Sequence, residues 1–157
     1  MPEDLRIKLV VRLNDIQARQ LVKILNFDIK LNQGLGNTPK KITAEQFMSR
    51  NKAWAKDNQA KIFAILYKNR AIGMISLSHI NLKNKKANIG YWLASKHWGK
   101  GITTEAFKKL LVIAKKNKIK YVSCTIPKNN KSSLGIWQTF AAIIKQKGEN
   151  IIPLIRL

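Results

Sequence analysis

Gly99-Lys100-Gly101 lies between an apolar stretch ending at Ala94 and an apolar-periodic stretch opening at Ile102. Two glycines around a lysine at a strand-to-helix junction make a site for phosphate. The first N–H groups of a helix have no intrahelical acceptor, and the helix dipole puts positive partial charge at the same end. Glycine lets the backbone turn tightly and approach a ligand closely. The spacing excludes two other phosphate motifs. GxxxxGK[ST] is absent, and GxGxxG fails because Ile102-Thr103-Thr104 supplies no third glycine. Thr103 and Thr104 offer hydroxyls to a phosphate or cap the helix, and Lys100 adds charge there or points into solvent.

The flanking residues narrow the ligand. Ile89-Gly90-Tyr91-Trp92-Leu93, followed by Trp98-Gly99-Lys100-Gly101-Ile102-Thr103-Thr104-Glu105-Ala106, resembles the acyl-CoA-binding segment of the GNAT superfamily of N-acetyltransferases, in particular its RimJ/RimL-like branch. The resemblance extends over most of the chain. It implies acetyl-CoA as co-substrate, with Trp92, Leu93 and Ala94 offering backbone groups to the pantetheine arm where the fourth and fifth strands splay apart. Trp98 to Thr103 correspond to the pyrophosphate loop Gln/Arg-x-x-Gly-x-Gly/Ala, so Trp98, Gly99, Lys100, Gly101, Ile102, Thr103 and the adjoining Thr104 are implied cofactor contacts. Trp98 and Thr103 depart from the pattern at its first and last positions. Asn130-Lys131-Ser132-Ser133 corresponds to an Asn-x-x-Ser that many members hold beside the cofactor, which implicates Asn130 and Ser133; an asparagine there also suits a turn. Phe140-Ala141-Ala142 replaces the family's usual Leu-Gly-Phe, and the last hairpin is abbreviated, which implies an open acceptor groove.

Acetyl transfer needs a neutral amine, donors for the developing oxyanion and a departing thiolate. Where relatives carry a glutamate base on the fourth or fifth strand, this chain has Asn88 and Thr125, and Trp137 stands where many have an acidic tyrosine. Water relaying the proton to His79, Tyr91 or backbone replaces the base, and the backbone N–H near Leu93 polarises the thioester carbonyl. At pH 7, deprotonating a lysine of pKa ~10.4 costs about 4.6 kcal/mol, against about 1 kcal/mol for an α-amine near 7.7. A weak base therefore suits a protein N-terminus, as in ribosomal-protein acetylation. Two alternatives stay open: a small-molecule amine such as an aminoglycoside, or a catalytically weak scaffold binding RNA or ribosomes through its basic surface. Glu105 favours the helix dipole, His97 reads as a loop residue, and Cys124 as core.

The chain carries 30 basic and 8 acidic residues, a net charge of +22. A field of that sign attracts RNA, ribosomes or acidic proteins and repels small polycations; AT-rich composition is the competing explanation. One cysteine excludes an internal disulfide, and two histidines argue against a zinc site. No apolar run reaches the ~20 residues of a membrane helix, and the start lacks a signal pattern. The expectations are a cytoplasmic monomer or homodimer, with no membrane or metal.

At 157 residues one α/β (α+β) domain over 1–157 is expected, with a mixed, mostly antiparallel twisted sheet flanked by helices. Alternation predicts a first strand over 5–11. Asn14 or Asp15 caps a helix, broken by the polar stretch 32–39, and Thr43 starts another with an incomplete capping box. Strands follow at 62–67, 72–80 and 87–94, then a helix to about Lys118, a strand at 121–126, a helix capped by Ser132 or Ser133 through Phe140, and terminal strands at 143–147 and 151–157. The order is β-α-α-β-β-β-α-β-α-β-β.

Overall fold

The structure is a computed structural model that describes residues 6–36 and 40–157. Its elements are β1 (Ile7–Val10), α1 (Asp15–Phe27), α2 (Ile29–Leu35), α3 (Ala44–Asp57), β2 (Lys61–Tyr67), β3 (Arg70–Asn81), β4 (Lys86–Leu93), α4 (Ile102–Lys116), β5 (Tyr121–Ser123), β6 (Ile126–Pro127), α5 (Lys131–Thr139), β7 (Ile143–Lys147) and β8 (Asn150–Arg156). A short 3-10 turn, Ser95–His97, links β4 to the glycine loop. The sheet runs β1-β2-β3-β4-β5-β8-β6, with β7 added on β8. Among the described residues only β4 and β5 pair in parallel, so the sheet is mixed and mostly antiparallel as expected.

Local chemistry explains the boundaries. Asn14 and Gln17 complete a capping box at the start of α1, and Thr43 and Gln46 complete one at α3. Lys68 and Asn69 both take positive φ, the two-residue turn whose twist suits a tight hairpin between β2 and β3. Residues alternate across the sheet: Phe63 and Ile65 join the core under α4 and α5, while Ala64 and Leu66 join the one under α1 and α3. Ile102, Ala106, Leu110 and Ala114, four residues apart, form the buried stripe of α4. Trp137 is fully buried, edge-on to Phe107 at 5.0 Å. At Gly73 a Cβ would meet the Trp92 carbonyl oxygen at 2.4 Å, so β3 and β4 approach as closely as they do only because this residue is glycine.

Four expectations need correction. The stretch 32–39 does not break the chain throughout: residues 32–35 continue α2, because Asp28 accepts the Leu31 N–H as N-cap and buried Asn32 donates to the Leu25 and Asp28 carbonyls. Residues 37–39 and Leu5 lie outside the described residues. The strand expected over 121–126 is two short strands, interrupted at Cys124 and Thr125. α5 is capped by Asn130, whose side chain accepts the Ser133 N–H at 3.2 Å, rather than by Ser132 or Ser133. α4 is capped by Gly101, so Thr103 and Thr104 lie in its first turn and are not caps.

Asp28 also reaches across the fold, accepting the Ser95 N–H and the Ser95 hydroxyl at 2.7 Å each. The turn after β4 is thereby clamped to the α1–α2 corner. Burial works to raise the Asp28 pKa, but the hydrogen bonds from Ser95 and Leu31 hold it below its ordinary value. A depressed carboxylate stabilises the fold above its unfolded pKa, near 3.9, and loses that contribution as pH falls through the lower folded value. Asp28→Ala is therefore expected to lose about 1–3 kcal/mol in urea unfolding at pH 7. The gap to wild type should close as the pH is taken below about 3.9; a gap unchanged in acid would contradict the assignment.

Candidate functional site

β4 holds the middle of the sheet but has a full neighbour on one side only. Its parallel ladder with β5 covers Lys86 to Asn88 and stops at the pair Asn88–Ser123. β3 continues to pair with β4 through Gly73–Leu93, and the Ala94 N–H donates to the Ile72 carbonyl at 2.8 Å. Backbone groups alternate sides along a strand. Trp92 and Ala94 therefore direct theirs at β3, whereas Tyr91 and Leu93 direct theirs into the gap left by β5. The implied pantetheine partners shift by one residue from the sequence expectation: Ala94 is spent on Ile72 and on the His97 N–H, Leu93 stays a candidate, and Tyr91 enters.

A cleft of about 690 Å³ fills that gap, within the size range of small-molecule sites. Tyr91, Leu93, Trp98, Gly99, Gly101, Ile102, Thr103, Thr104, Asn130 and Ser133 all line it, as does Trp92. Gly99 and Gly101 take φ of 73° and 78°, the left-handed region that glycine enters without steric cost. Gly101 has no side chain to satisfy the first turn of α4. The N–H groups of Ile102, Thr103 and Thr104 are left for an anion at the positive end of the helix. Lys100 is exposed and does not line the cleft; backbone donors, not this lysine, form the cradle.

Trp98 donates its indole N–H to the Leu93 carbonyl at 2.8 Å while the residue as a whole remains 47% exposed. This carbonyl is one of the groups facing the gap, so the indole occupies it. His97 also lines the cleft, in contrast to its reading as a plain loop residue. Its Nδ1 is buried without a partner, and burial, followed by the charges of Lys100 and Lys96, pushes its pKa down.

A second cleft of about 470 Å³ shares Ile89, Gly90, Tyr91, Trp92, Cys124 and Thr125 with the first. Asn51 and Trp54 of α3, Ser76 and Ser78 of β3, and Asn88 complete its polar and aromatic wall. The two clefts meet where β4 and β5 part. His79 is not brought there: it is exposed, at a left-handed bulge of β3 where its N–H donates to the Asn58 carbonyl at 2.7 Å. Asn51, Trp54, Ser76 and Ser78 were not singled out for a site by sequence. The spacing of Asn51 and Trp54 on one face of α3 is their only local signal.

The Tyr91 hydroxyl hydrogen-bonds the Ser133 hydroxyl. Burial raises its pKa, against the lowering effect of that bond. Tyr91 is therefore a protonated phenol over the working pH range and not a base. The Trp137 N–H is close enough to bias the phenol, yet makes no hydrogen bond by geometry. Glu105 sits in the first turn of α4 beside Lys109, 4.0 Å away, and lines neither cleft. Among the described residues, no His, Cys, Asp and Glu cluster could hold a metal, and no helix is long and apolar enough to cross a membrane.

Residues 13–140 match the family described as the acetyltransferase (GNAT) domain. The chain belongs to the GNAT acetyltransferase family. A candidate ribosomal N-acetyltransferase of Bacillus subtilis (strain 168), YdaF, is 48% identical over 50 residues, covering 32% of this chain and 27% of that protein. The ribosomal-protein-serine acetyltransferase of Escherichia coli (strain K12) is 44% identical over 52 residues, covering 33% and 29%. The matches thus span less than a third of these curated relatives. The crystal structure of the microcin C7 self-immunity acetyltransferase MccE in complex with acetyl-CoA and AMP shares the fold at a TM-score of 0.78 and 23% identity, covering 96% of this chain and 92% of that one. This GNAT chain thus carries the family's sheet, with a gap in it, and a glycine cradle at the end of the gap.

Cys124 lies at the meeting of the two clefts, yet burial pushes its thiol pKa up to about 12. At pH 8 about one thiol in 10⁴ would then be ionised, against about one in four for an ordinary thiol near 8.5. Labelling of Cys124 by an aromatic disulfide is expected to be at least about a hundredfold slower than for free cysteine, and to quicken with pH up to about 11. Labelling at the free-cysteine rate would show an activated thiol instead.

Proposed function

We propose that this chain, as one domain over 1–157, is an acetyl-CoA-dependent N-acetyltransferase that passes acetyl directly to a protein N-terminal α-amine. The observation that carries the reading is the meeting of two clefts at the β4–β5 gap, one ending in a glycine cradle and the other walled by neutral polar side chains. The first cleft fits acetyl-CoA by three features: its volume, the gap-facing backbone of Tyr91 with the Leu93 N–H, and the uncapped first turn of α4. When bound, the co-substrate supplies the activated acetyl thioester. The N–H groups of Ile102, Thr103 and Thr104 hold its pyrophosphate, and the gap edge of β4 holds its arm.

Within that frame each residue has one task. The amine enters from the second cleft and must be neutral to form the new C–N bond. The Leu93 N–H, fixed by the strand and costing no reorganisation, meets the oxygen on which negative charge develops. As the C–S bond breaks, Tyr91 would pass a proton towards the sulfur through its bond to Ser133 and would regain one from the water that takes up the amine's proton. The amine's own proton leaves through water, since Asn88 and Thr125 offer no carboxylate. The missing base costs an α-amine only about 1 kcal/mol at pH 7. The names of the matched ribosomal relatives support a ribosomal protein as the acceptor.

Free-thiol release from acetyl-CoA, with an N-terminal peptide, a lysine peptide, an aminoglycoside and a polyamine as acceptors, tests the reading. The N-terminal peptide should turn over fastest, with kcat/KM rising with pH and levelling near the amine pKa, about 7.7. Gly101→Asp, which forces a side chain and a negative charge into a left-handed phosphate site, should abolish both turnover and the rise in Tm with acetyl-CoA. No turnover with any acceptor and no rise in Tm for wild type would contradict the proposal.

Two variants probe single contacts. Tyr91→Phe, which keeps the edge-on packing against Phe107, should lower kcat about tenfold with little change in KM, since a thiol near pKa 8.5 departs without strong acid help. Trp98→Phe removes the N–H that occupies the Leu93 carbonyl and should tighten coenzyme A binding about two- to tenfold in calorimetry. Weaker binding would mean that the indole holds the ligand.

A further inference from the structure

Six of the eight acidic residues lie among the described residues, and none of the six lines either cleft. Asp28 is spent on Ser95 and Leu31. Asp15, Glu105 and Glu149 form ion pairs with Arg19, Lys109 and Lys128, the only ion pairs among the described residues. Glu45 and Asp57 sit at the two ends of α3. Thirty basic side chains are therefore left almost without internal neutralisation. The second cleft contains serine, asparagine, threonine, methionine and aromatic groups but no carboxylate to receive an ammonium.

Two consequences follow for the amine that enters. A positive surrounding field disfavours the ammonium form and so lowers the amine's pKa, which eases the step for which the chain has no base. The same field already acts on His97, depressed after burial by Lys100 and Lys96. But a field of that sign also repels an acceptor that carries further positive charge. Polyamines and aminoglycosides would meet it with no counter-charge in the cleft wall. The acceptor that gains from it carries a single amine at its end and negative charge behind it.

Resting on the proposed acetyltransfer, we infer that the acceptor is the N-terminus of an acidic peptide segment, whose amine enters the uncharged second cleft while its carboxylates lie over the surrounding basic surface. Arg50 is exposed and lies one helical turn before Trp54 on the same face of α3, and it precedes Asn51 of the cleft wall. Exposed Lys52 and Lys56 extend the positive charge along α3.

The test uses the full chain, saturated with acetyl-CoA, and three N-terminal peptides with the same first three residues followed by an acidic, a neutral or a basic run. Spermidine and a single-stranded uridine oligonucleotide complete the panel. Both kcat/KM and peptide binding by fluorescence anisotropy are measured at low and at high salt. The acidic peptide should exceed the neutral one at least about tenfold in kcat/KM at low salt, the basic one should fall below it, and the differences should shrink at high salt. Arg50→Glu should reduce the acidic-to-neutral ratio.

Equal rates for the three peptides, or spermidine turning over as well as the acidic peptide, would overturn the inference. Selective, salt-sensitive binding of the acidic peptide without turnover would uphold the acidic-segment site while refuting acetyltransfer. Charge-blind turnover would do the reverse. Absence of both binding and turnover would refute both. Oligonucleotide binding at least about tenfold tighter than the acidic peptide in the same salt would assign the field to nucleic acid and overturn the inference.

Discussion

The structure depends on one missing stretch of ladder. β4 and β5 run side by side for three pairs, to Asn88–Ser123, and then separate. A strand at the centre of a sheet normally spends all of its backbone groups on neighbours, because an unpaired buried N–H or carbonyl costs as much as a lost hydrogen bond. Here Tyr91 and Leu93 keep groups facing a gap, and the Trp98 indole answers only one of them, the Leu93 carbonyl. The rest of the molecule serves this gap. β3 anchors the other edge of β4 at a distance that only Gly73 permits, α4 delivers its uncapped first turn to the end of the gap, and Asn130 starts α5 beside it.

On the proposed acetyltransfer, the gap also accounts for how little acid–base equipment the reaction needs. A backbone donor fixed by a strand is ready before the reaction begins and needs no ionisable partner. Burial raises the pKa of both Tyr91 and Cys124 and so keeps the phenol and the thiol protonated. What remains to be supplied is a neutral amine, and the positive surroundings help in that direction. In the proposed reaction, the lack of a carboxylate and the excess of lysine and arginine are two aspects of one solution, in which the field of the protein does part of the work of a base.

Much of this was legible in the sequence where local chemistry is self-sufficient. Gly99 and Gly101 announce their left-handed conformations by identity alone, the strand patterns announce the alternation of faces, and the RimJ/RimL-like segment points to the family. Legibility failed where a distant partner decides. Residues 32–35 read as a breaker because Gly34 and two polar side chains lie there, yet Asp28 and the buried amide of Asn32 make them a helix. Ala94 looked like a cofactor contact until the register showed its N–H facing β3. His79 is expected to take a relayed proton, but it sits at a left-handed bulge of β3 and lines neither cleft. The second cleft draws on α3, β3, β4 and the β5–β6 break, whose residues share no sequence neighbourhood.

The central claim is that the open edge of β4 binds the acetyl donor. Amide hydrogen exchange, resolved by residue with and without saturating acetyl-CoA, measures it directly. The Tyr91 and Leu93 amides should exchange readily in the free protein and become protected on binding, together with those of Ile102, Thr103 and Thr104. The Trp92 and Ala94 amides, already paired with β3, should be protected in both states. Tyr91 and Leu93 amides that are equally exposed with and without acetyl-CoA would contradict the account.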